Sequence, residues 1–468
     1  MIYKNFWNLT VTYGIGVILL RGISFLLLPL YTNLLSPEDA GKTFIFITFL
    51  AFMNALFSMG MDSSLLKYYN QKHSISTSLI SLGFLITPLF LIMYLMSDVL
   101  SEMLFSDSLN SQWIFFSMII LSLDALSSRL ITVLRILKMP FYYLFVCLVN
   151  VIASLLLNIY FLHTLHLSFM GVVFAMAGVS IIQCLSITPV LFKFPVNFKF
   201  DFRLLKKMFL FAWPFFPATI FFIIIELSDR FMIQYFLGLD DVGLYGAGYK
   251  MAALILILIR AFNLNWQPYY IESGEKDIEQ AKIQFANIGN FTIVGLIFLG
   301  TLLSSLYPLL LKINWNGFSI IGPEFFDGGK VIPWVTAGYI FYSFFILQMP
   351  SIYLKNKQKW APFFWGTSAL TNIFLNIILI PKLGFIGAAI STMVSYMTMA
   401  FLIYYKNRTW MPIKYNFKFL FFTLLASTLI FFIISLCNHN IIITFGLTII
   451  YSIIILYILF NLKNKLVN

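Results

Sequence analysis

Residues Phe209–Arg260 read FLFAWPFFPATIFFIIIELSDRFMIQYFLGLDDVGLYGAGYKMAALILILIR, two apolar runs parted by a short turn, Gly238–Gly243. Each run is long enough to cross a hydrocarbon layer, which takes about 20 apolar residues. The first run still carries Glu226, Asp229 and Arg230, and the second carries Lys250 and Arg260. An ionisable side chain at bilayer depth costs about 2.5–3.5 kcal/mol on insertion scales, so it marks a functional site or a partnered charge. Glu226 and Arg230 are four residues apart and share a helical face, with Asp229 beside them.

The rest of the chain has the composition of a scaffold for such a cluster. Of its 468 residues 60% are hydrophobic and 10% charged, against about 25% charged in soluble domains. The reading is an all-α polytopic membrane protein of fourteen spans. The expected spans are Val11–Tyr31, Thr43–Met61, Ser76–Met96, Trp113–Val133, Phe141–His163 and Phe169–Phe192, then Met208–Phe236, Leu244–Tyr269, Phe285–Leu311 and Ile332–Leu354, then Ala361–Ile380, Phe385–Tyr405, Phe417–Cys437 and Ile441–Leu462. Lys4 precedes the first run, but no small-residue cleavage site follows it, so that run is expected to stay as a span.

Lys and Arg in short loops set the orientation. With both termini in the cytoplasm, twenty-two of them, Arg129 among them, are assigned to inner segments and four to outer loops. That bias explains the net charge of +12 without nucleic acid as a partner. The outer loops are short, the longest being Lys312–Val331, and no extramembrane segment can bury a core of its own. A soluble catalytic domain is therefore not expected. Cys147, Cys184 and Cys437 lie in separate apolar runs, and the four histidines show no ligand spacing, so no disulfide framework or metal site is expected.

The chain echoes itself. Leu35–Gly41, LSPEDAG, follows the first span, and Leu237–Gly243, LGLDDVG, follows the seventh. Asn158–Ala175 finds a second echo in Asn376–Ser391. This predicts two parallel six-helix lobes, residues 1–192 and 208–405, joined by a basic cytoplasmic connector, 193–207. A C-terminal helix pair, 406–468, stands outside the repeat. Parallel repeats of this kind are a transporter feature, with substrate bound between them. The connector run FKFDFRLLKK, Phe198–Lys207, is either an amphipathic helix at the membrane surface or an ordinary positive-inside loop.

The candidate cavity set is Arg21, Arg230, Lys250 and Arg260 against Asp124, Glu226 and Asp229. An excess of arginine suits an anionic ligand, since the guanidinium fork matches phosphate oxygens. The acids suit coupling to H⁺ or Na⁺, and no organic cofactor is expected. Trp213, Tyr249 and Trp266 are the candidate sugar contacts, weighed against packing or interface-belt roles. Pro214, Pro217 and Pro268 are candidate hinges. No catalytic motif stands in a plausible context.

Three segments resemble one family. Trp213–Pro217 (WPFFP), Ser228–Phe231 (SDRF) and Leu237–Lys250 (LGLDDVGLYGAGYK) are similar to the seventh-to-eighth-helix signature of the polysaccharide exporters. These are lipid-linked oligosaccharide flippases of the multidrug/oligosaccharidyl-lipid/polysaccharide (MOP) superfamily. Asn372–Thr392 resembles their eleventh-to-twelfth-helix pattern, and Leu27–Gly41 their first helix and loop. The resemblance implies a MATE-like pair of lobes working by alternating access. It implies an undecaprenyl-diphosphate-linked oligosaccharide as substrate, for O-antigen or capsule, in the bacterial cell membrane. A polysaccharide polymerase and chain-length machinery are its implied partners. Only Arg230 and Lys250 of the cationic set lie within matched motifs. Fourteen spans also fit the peptidoglycan-precursor branch. The alternatives are a multidrug cation exporter, a lipid II flippase and, from another class, a membrane polysaccharide polymerase.

Overall fold

A computed structural model describes residues 25–105, 112–193, 199–213, 215–311, 313–315, 318–437 and 440–467, with Gly16, Leu19, Leu20, Gly22 and Ile23 ahead of them. The helices are α1 Leu28–Leu34, α2 Pro37–Ser58, α3 Met61–Tyr68, α4 Ser74–Leu95, α5 Ser97–Phe105, α6 Gln112–Ile136, α7 Pro140–Asn158, α8 Phe169–Ile187 and α9 Phe202–Ala212. They continue as α10 Phe215–Leu237, α11 Leu239–Lys276, α12 Ile278–Leu310, α13 Ile332–Leu354, α14 Ala361–Leu383, α15 Phe385–Trp410, α16 Phe417–Leu436 and α17 Ile441–Val467. The described β structure is one small antiparallel pair, Asn314–Trp315 with Phe318–Ser319, inside a loop. The all-α polytopic fold expected from the sequence is the fold observed.

Twelve helical segments among the described residues are long and apolar enough to span. Nine of the twenty-one residues of the first expected span, Val11–Tyr31, lie outside the described residues. The seventh is the 23-residue α10. Any 18-residue window of α10 holds Glu226, Asp229 and Arg230 together, so its charge sets it apart from the other spans.

Contacts divide the chain into two compact units, Met1–Ile223 and Ile224–Asn468. In the first, α6 and α7 pack on α8. A core of Leu130, Val133, Leu134, Val146, Cys147 and Ile187 lies among them. In the second, α15 packs on both α13 and α14, and α11 packs on α13. The C-terminal pair, α16 and α17, lies on α12.

The two copies of the echoed motif have the same local role. In the first, the Ser36 side chain accepts from the Asp39 N–H and Pro37 opens α2. In the second, Gly238, at φ +107, turns the chain directly into α11. Each helix then places two acids in its first turn, Glu38 and Asp39 or Asp240 and Asp241. Carboxylates there complement the unpaired N–H groups and the positive end of the helix dipole. The six-residue turn expected at Gly238–Gly243 is thus mostly helix.

The expected span Met208–Phe236 is broken. Helix α9 starts in the connector, where the Asp201 carboxylate accepts from the N–H groups of Arg203 and Leu204. It ends at Ala212, just before Pro214, a residue outside the described set. A proline removes one backbone donor and disfavours helical geometry in the residue before it. Pro217 sits in the first turn of α10, where proline is tolerated, and α11 runs unbroken through Pro268. Neither marks a break. The outer loop is also less open than expected: Pro323–Val331 forms a 3₁₀ helix whose Phe325, Gly328 and Gly329 are buried. Gly248 of α11 lies directly against the Gly328 carbonyl, and a Cβ at either glycine would meet backbone of the other segment.

Candidate functional site

Helix α10 brings Glu226, Asp229 and Arg230 into the interior of the second unit, each no more than 6% exposed. One Asp229 oxygen accepts from Arg230 Nη1 at 2.9 Å, and the other accepts from the Tyr245 hydroxyl. Arg230 Nη1 also donates to the Glu226 main-chain oxygen at 2.8 Å. The guanidinium lies 4.6 Å from the Tyr249 ring centre and 5.6 Å from that of Tyr245, both within cation–π range. The Glu226 carboxylate accepts from the Tyr339 hydroxyl at 3.2 Å and from the Tyr396 hydroxyl. Four helices, α10, α11, α13 and α15, therefore meet at one cluster.

The physical logic is local compensation. A buried charge is tolerated only when paired and hydrogen-bonded. Here the guanidinium has a carboxylate on the neighbouring residue, a carbonyl one turn back and two aromatic faces. Each carboxylate has tyrosine donors from other helices, and charge-assisted bonds of this kind are about twice as strong as neutral ones. Arg230 is held by the Asp229 carboxylate and the Glu226 main-chain oxygen, so the cluster does not present it as an open anion site.

The other candidates are placed as follows. Tyr249 is buried and takes the Arg230 guanidinium on its face. Lys250 and Arg260 are half-buried on α11, ten residues apart, which is about 15 Å along a helix. Lys250 lies within electrostatic reach of Arg230, and Arg260 within reach of Tyr339 and Tyr342. Asp124 belongs to the first unit, where its carboxylate accepts from the Ser180 hydroxyl at 2.7 Å. Arg21 lies outside the described residues. Trp213 is half exposed at the end of α9, stacked 5.7 Å from Phe216. Trp266, the third candidate sugar contact, is enclosed by its neighbours. It is buried, its Nε1 donates to the Ile346 carbonyl at 3.2 Å, and Phe285 and Tyr270 close on its ring.

Two features were missed in the sequence. One is the set of tyrosine donors, Tyr245, Tyr339 and Tyr396. Their only linear signal is that a hydroxyl inside a span needs an acceptor. The other is Arg129, counted above among inner-loop cations. It is 2% exposed within α6 and donates through Nη1 to the Ser78 carbonyl and, at 3.0 Å, to Ser81 Oγ. The adjacent Ser128 donates to Asp62 at 2.7 Å, and Asp62 lies within electrostatic reach of Arg129. Removing Arg129 from the loop tally leaves twenty-one basic residues against four. Among the described residues, no group of His, Cys, Asp and Glu is assembled as a metal site.

Against this geometry, comparison with known proteins decides the family. A family model described as "Polysaccharide biosynthesis protein" matches residues 6–272, more than half of the chain. The chain belongs to that family. Among curated protein sequences none matches significantly. Solved structures match more widely. The lipid II flippase MurJ in an inward closed conformation is 16% identical at a TM-score of 0.73, covering 96% of this chain and 99% of MurJ. An inward-facing multidrug resistance MATE family transporter of the MOP superfamily is 13% identical at a TM-score of 0.64, covering 84% and 97%. A MOP superfamily transporter from Pyrococcus furiosus, described as having a binding pocket of reversed polarity, is 15% identical at 0.59, covering 86% and 94%. The fold of this polysaccharide biosynthesis protein is thus that of MOP transporters, and it is a multi-pass membrane protein.

Proposed function

We propose that this protein flips an undecaprenyl-diphosphate-linked oligosaccharide, destined for O-antigen or capsule, from the inner to the outer leaflet of a bacterial cell membrane. Both termini are cytoplasmic in this reading, and no covalent bond changes, so it is a transporter and not an enzyme. The observation that carries it is the buried charge cluster of α10, kept at spanning depth in a chain of the polysaccharide biosynthesis family with a MOP fold. The diphosphate engages the cationic set Arg21, Lys250 and Arg260, with Arg230 joining once it leaves Asp229. The prenyl tail stays in lipid. A polymerase and chain-length machinery then take the glycan.

Two buried carboxylates at one point, with tyrosine donors around them, also support a cation at the cluster. Glu226 and Asp229 are therefore the coupling acids for H⁺ or Na⁺ in this reading, with Asp124 as a further candidate in the first unit. The same pair of carboxylates favours, as the second reading, export of organic cations. Polyprenyl-linked glycans extracted from cells lacking the gene distinguish the two. Build-up of the unpolymerised repeat unit is expected, reversed by the wild type and not by Arg230→Ala at an equal level in the membrane. No build-up, with lost resistance to organic cations, would move the protein to drug export. Equal rescue by both would keep the flippase reading and remove Arg230 from the mechanism.

A further inference from the structure

Away from the charge cluster, the second unit has a pocket of about 330 Å³ where α15 ends and the chain turns through residues 411–416 into α16. Gln348 of α13, Asn407 and Arg408 of α15, Lys414 of the turn and Tyr404 border it. Its volume is in the range of small-ligand sites, about 300–1,000 Å³. Among the described residues, no acidic one lines it.

Gln348 and Asn407 are 1% and 2% exposed. Asn407 Nδ2 donates to Gln348 Oε1 at 2.7 Å and to the Gln348 main-chain oxygen at 3.1 Å. The single Ser351 hydroxyl proton is shared between Asn407 Oδ1 and the Gln348 main-chain oxygen, the latter at 2.9 Å. These bonds hold the Gln348 amide with its oxygen toward Asn407. Its Nε2 is left buried without an acceptor. A stranded buried donor costs about 1–3 kcal/mol, and the amide is held in that position by a closed network. Meanwhile Arg408 and Lys414 stand exposed at the mouth, and neither takes part in an ion pair among the described residues.

We propose that this pocket binds a phosphate group. The buried amide supplies an oriented neutral donor, Arg408 a planar fork and Lys414 a point charge. A tetrahedral anion, whose acceptor oxygens point in several directions, can meet all three at once. The phosphate belongs either to an anionic lipid headgroup or to a soluble phosphate compound, since basic residues at a membrane face attract both. The site lies wholly within one unit and does not depend on the transport reading.

Two measurements on the purified full-length protein test it. Equilibrium dialysis in detergent uses radiolabelled inorganic phosphate as the probe. Native mass spectrometry from bilayer discs compares phosphatidylglycerol with phosphatidylcholine. Saturable phosphate binding without lipid enrichment supports the site and gives a soluble source. Enrichment of phosphatidylglycerol without phosphate binding supports it and gives a lipid source. Arg408→Gln with Lys414→Gln changes only exposed side chains and should weaken the observed binding about tenfold or more, the worth of one charge-assisted hydrogen bond. Gln348→Leu should weaken it further while its thermal melting reports on folding. Binding of neither probe, or unchanged binding by the Arg408/Lys414 double variant, would overturn the proposal.

Discussion

Arg230 and Arg129 are both buried in spanning helices, and their charges are met in opposite ways. Arg230 finds a carboxylate on the next residue and a carbonyl one turn back, all on α10. Tyrosines from three other helices then close on the cluster. Arg129 has no such carboxylate on its own turn. It reaches from α6 to neutral oxygens of α4, those of Ser78 and Ser81, with Asp62 at electrostatic range. The first arrangement gathers ionisable groups at one point, so a change in one alters the electrostatic balance of all. The second is a tie between two helices. Burial alone therefore does not identify a transport residue; the chemistry of the partners does.

The largest effect should come from the counter-charge. Asp229→Asn leaves the Arg230 guanidinium buried without its carboxylate, and breaking such a pair costs about 3–5 kcal/mol. We expect a clear fall in melting temperature in detergent and loss of glycan transport. Adding Arg230→Gln should restore melting and leave transport lost, because the double variant has neither the uncompensated charge nor the cluster. A double variant as unstable as the single would show that the pair is not what holds this region together.

Arg129→Met should act on stability alone. It removes the two charge-assisted bonds that tie α6 to α4, at about 1.5–3 kcal/mol, while the Ser78 carbonyl keeps the Ser81 hydroxyl as a donor. Transport per folded molecule should stay near that of the wild type, measured as glycan rescue normalised to the level of folded protein. Loss of transport with unchanged melting would place Arg129 in the mechanism and erase the contrast with Arg230.

The sequence carried the fold well and the site unevenly. Twelve spans were legible because each is a long apolar run, and the anomalous charges of α10 singled out Glu226, Asp229 and Arg230 directly. The hidden break at Trp213 was less legible, since Phe, Leu and Ala on both sides keep the run apolar and only Pro214 signals it. Arg129 was misread because it lies within nine residues of Arg135, in the last turn of α6, and of Lys138 just beyond it, and the three look like one basic loop. The acceptors on Ser78 and Ser81 are some fifty residues away in sequence. The tyrosine donors fail for the same reason: Tyr396 meets Glu226 across 170 residues, a pairing created by the folding of the second unit rather than by any spacing. The packing around Trp266 was not legible either, because an indole that packs and an indole that stacks on sugar look identical in a linear string.

The smallest effect, and the sharpest test of how the α10 cluster differs from a simple tie, comes from its tyrosines. Tyr396→Phe keeps the ring, which packs 5.1 Å from Tyr342 and 6.1 Å from Tyr339, and removes only the hydroxyl that donates to Glu226. Polar contacts between membrane helices average about 0.6 kcal/mol and reach about 1.7 kcal/mol, so melting should shift only slightly. Tyr339→Phe removes a 3.2 Å bond to the other Glu226 oxygen and should do less. If Glu226 binds the coupling ion, weakening its donors should nevertheless change how transport depends on the proton or sodium gradient, assayed in reconstituted vesicles with each gradient imposed in turn. A shift in ion dependence without a matching shift in melting would mark the cluster as a working site. Melting and transport falling together, with ion dependence unchanged, would reduce it to a larger version of the Arg129 tie, and the coupling acid would then have to be sought at Asp124, whose carboxylate already has Ser180 as a donor in the first unit.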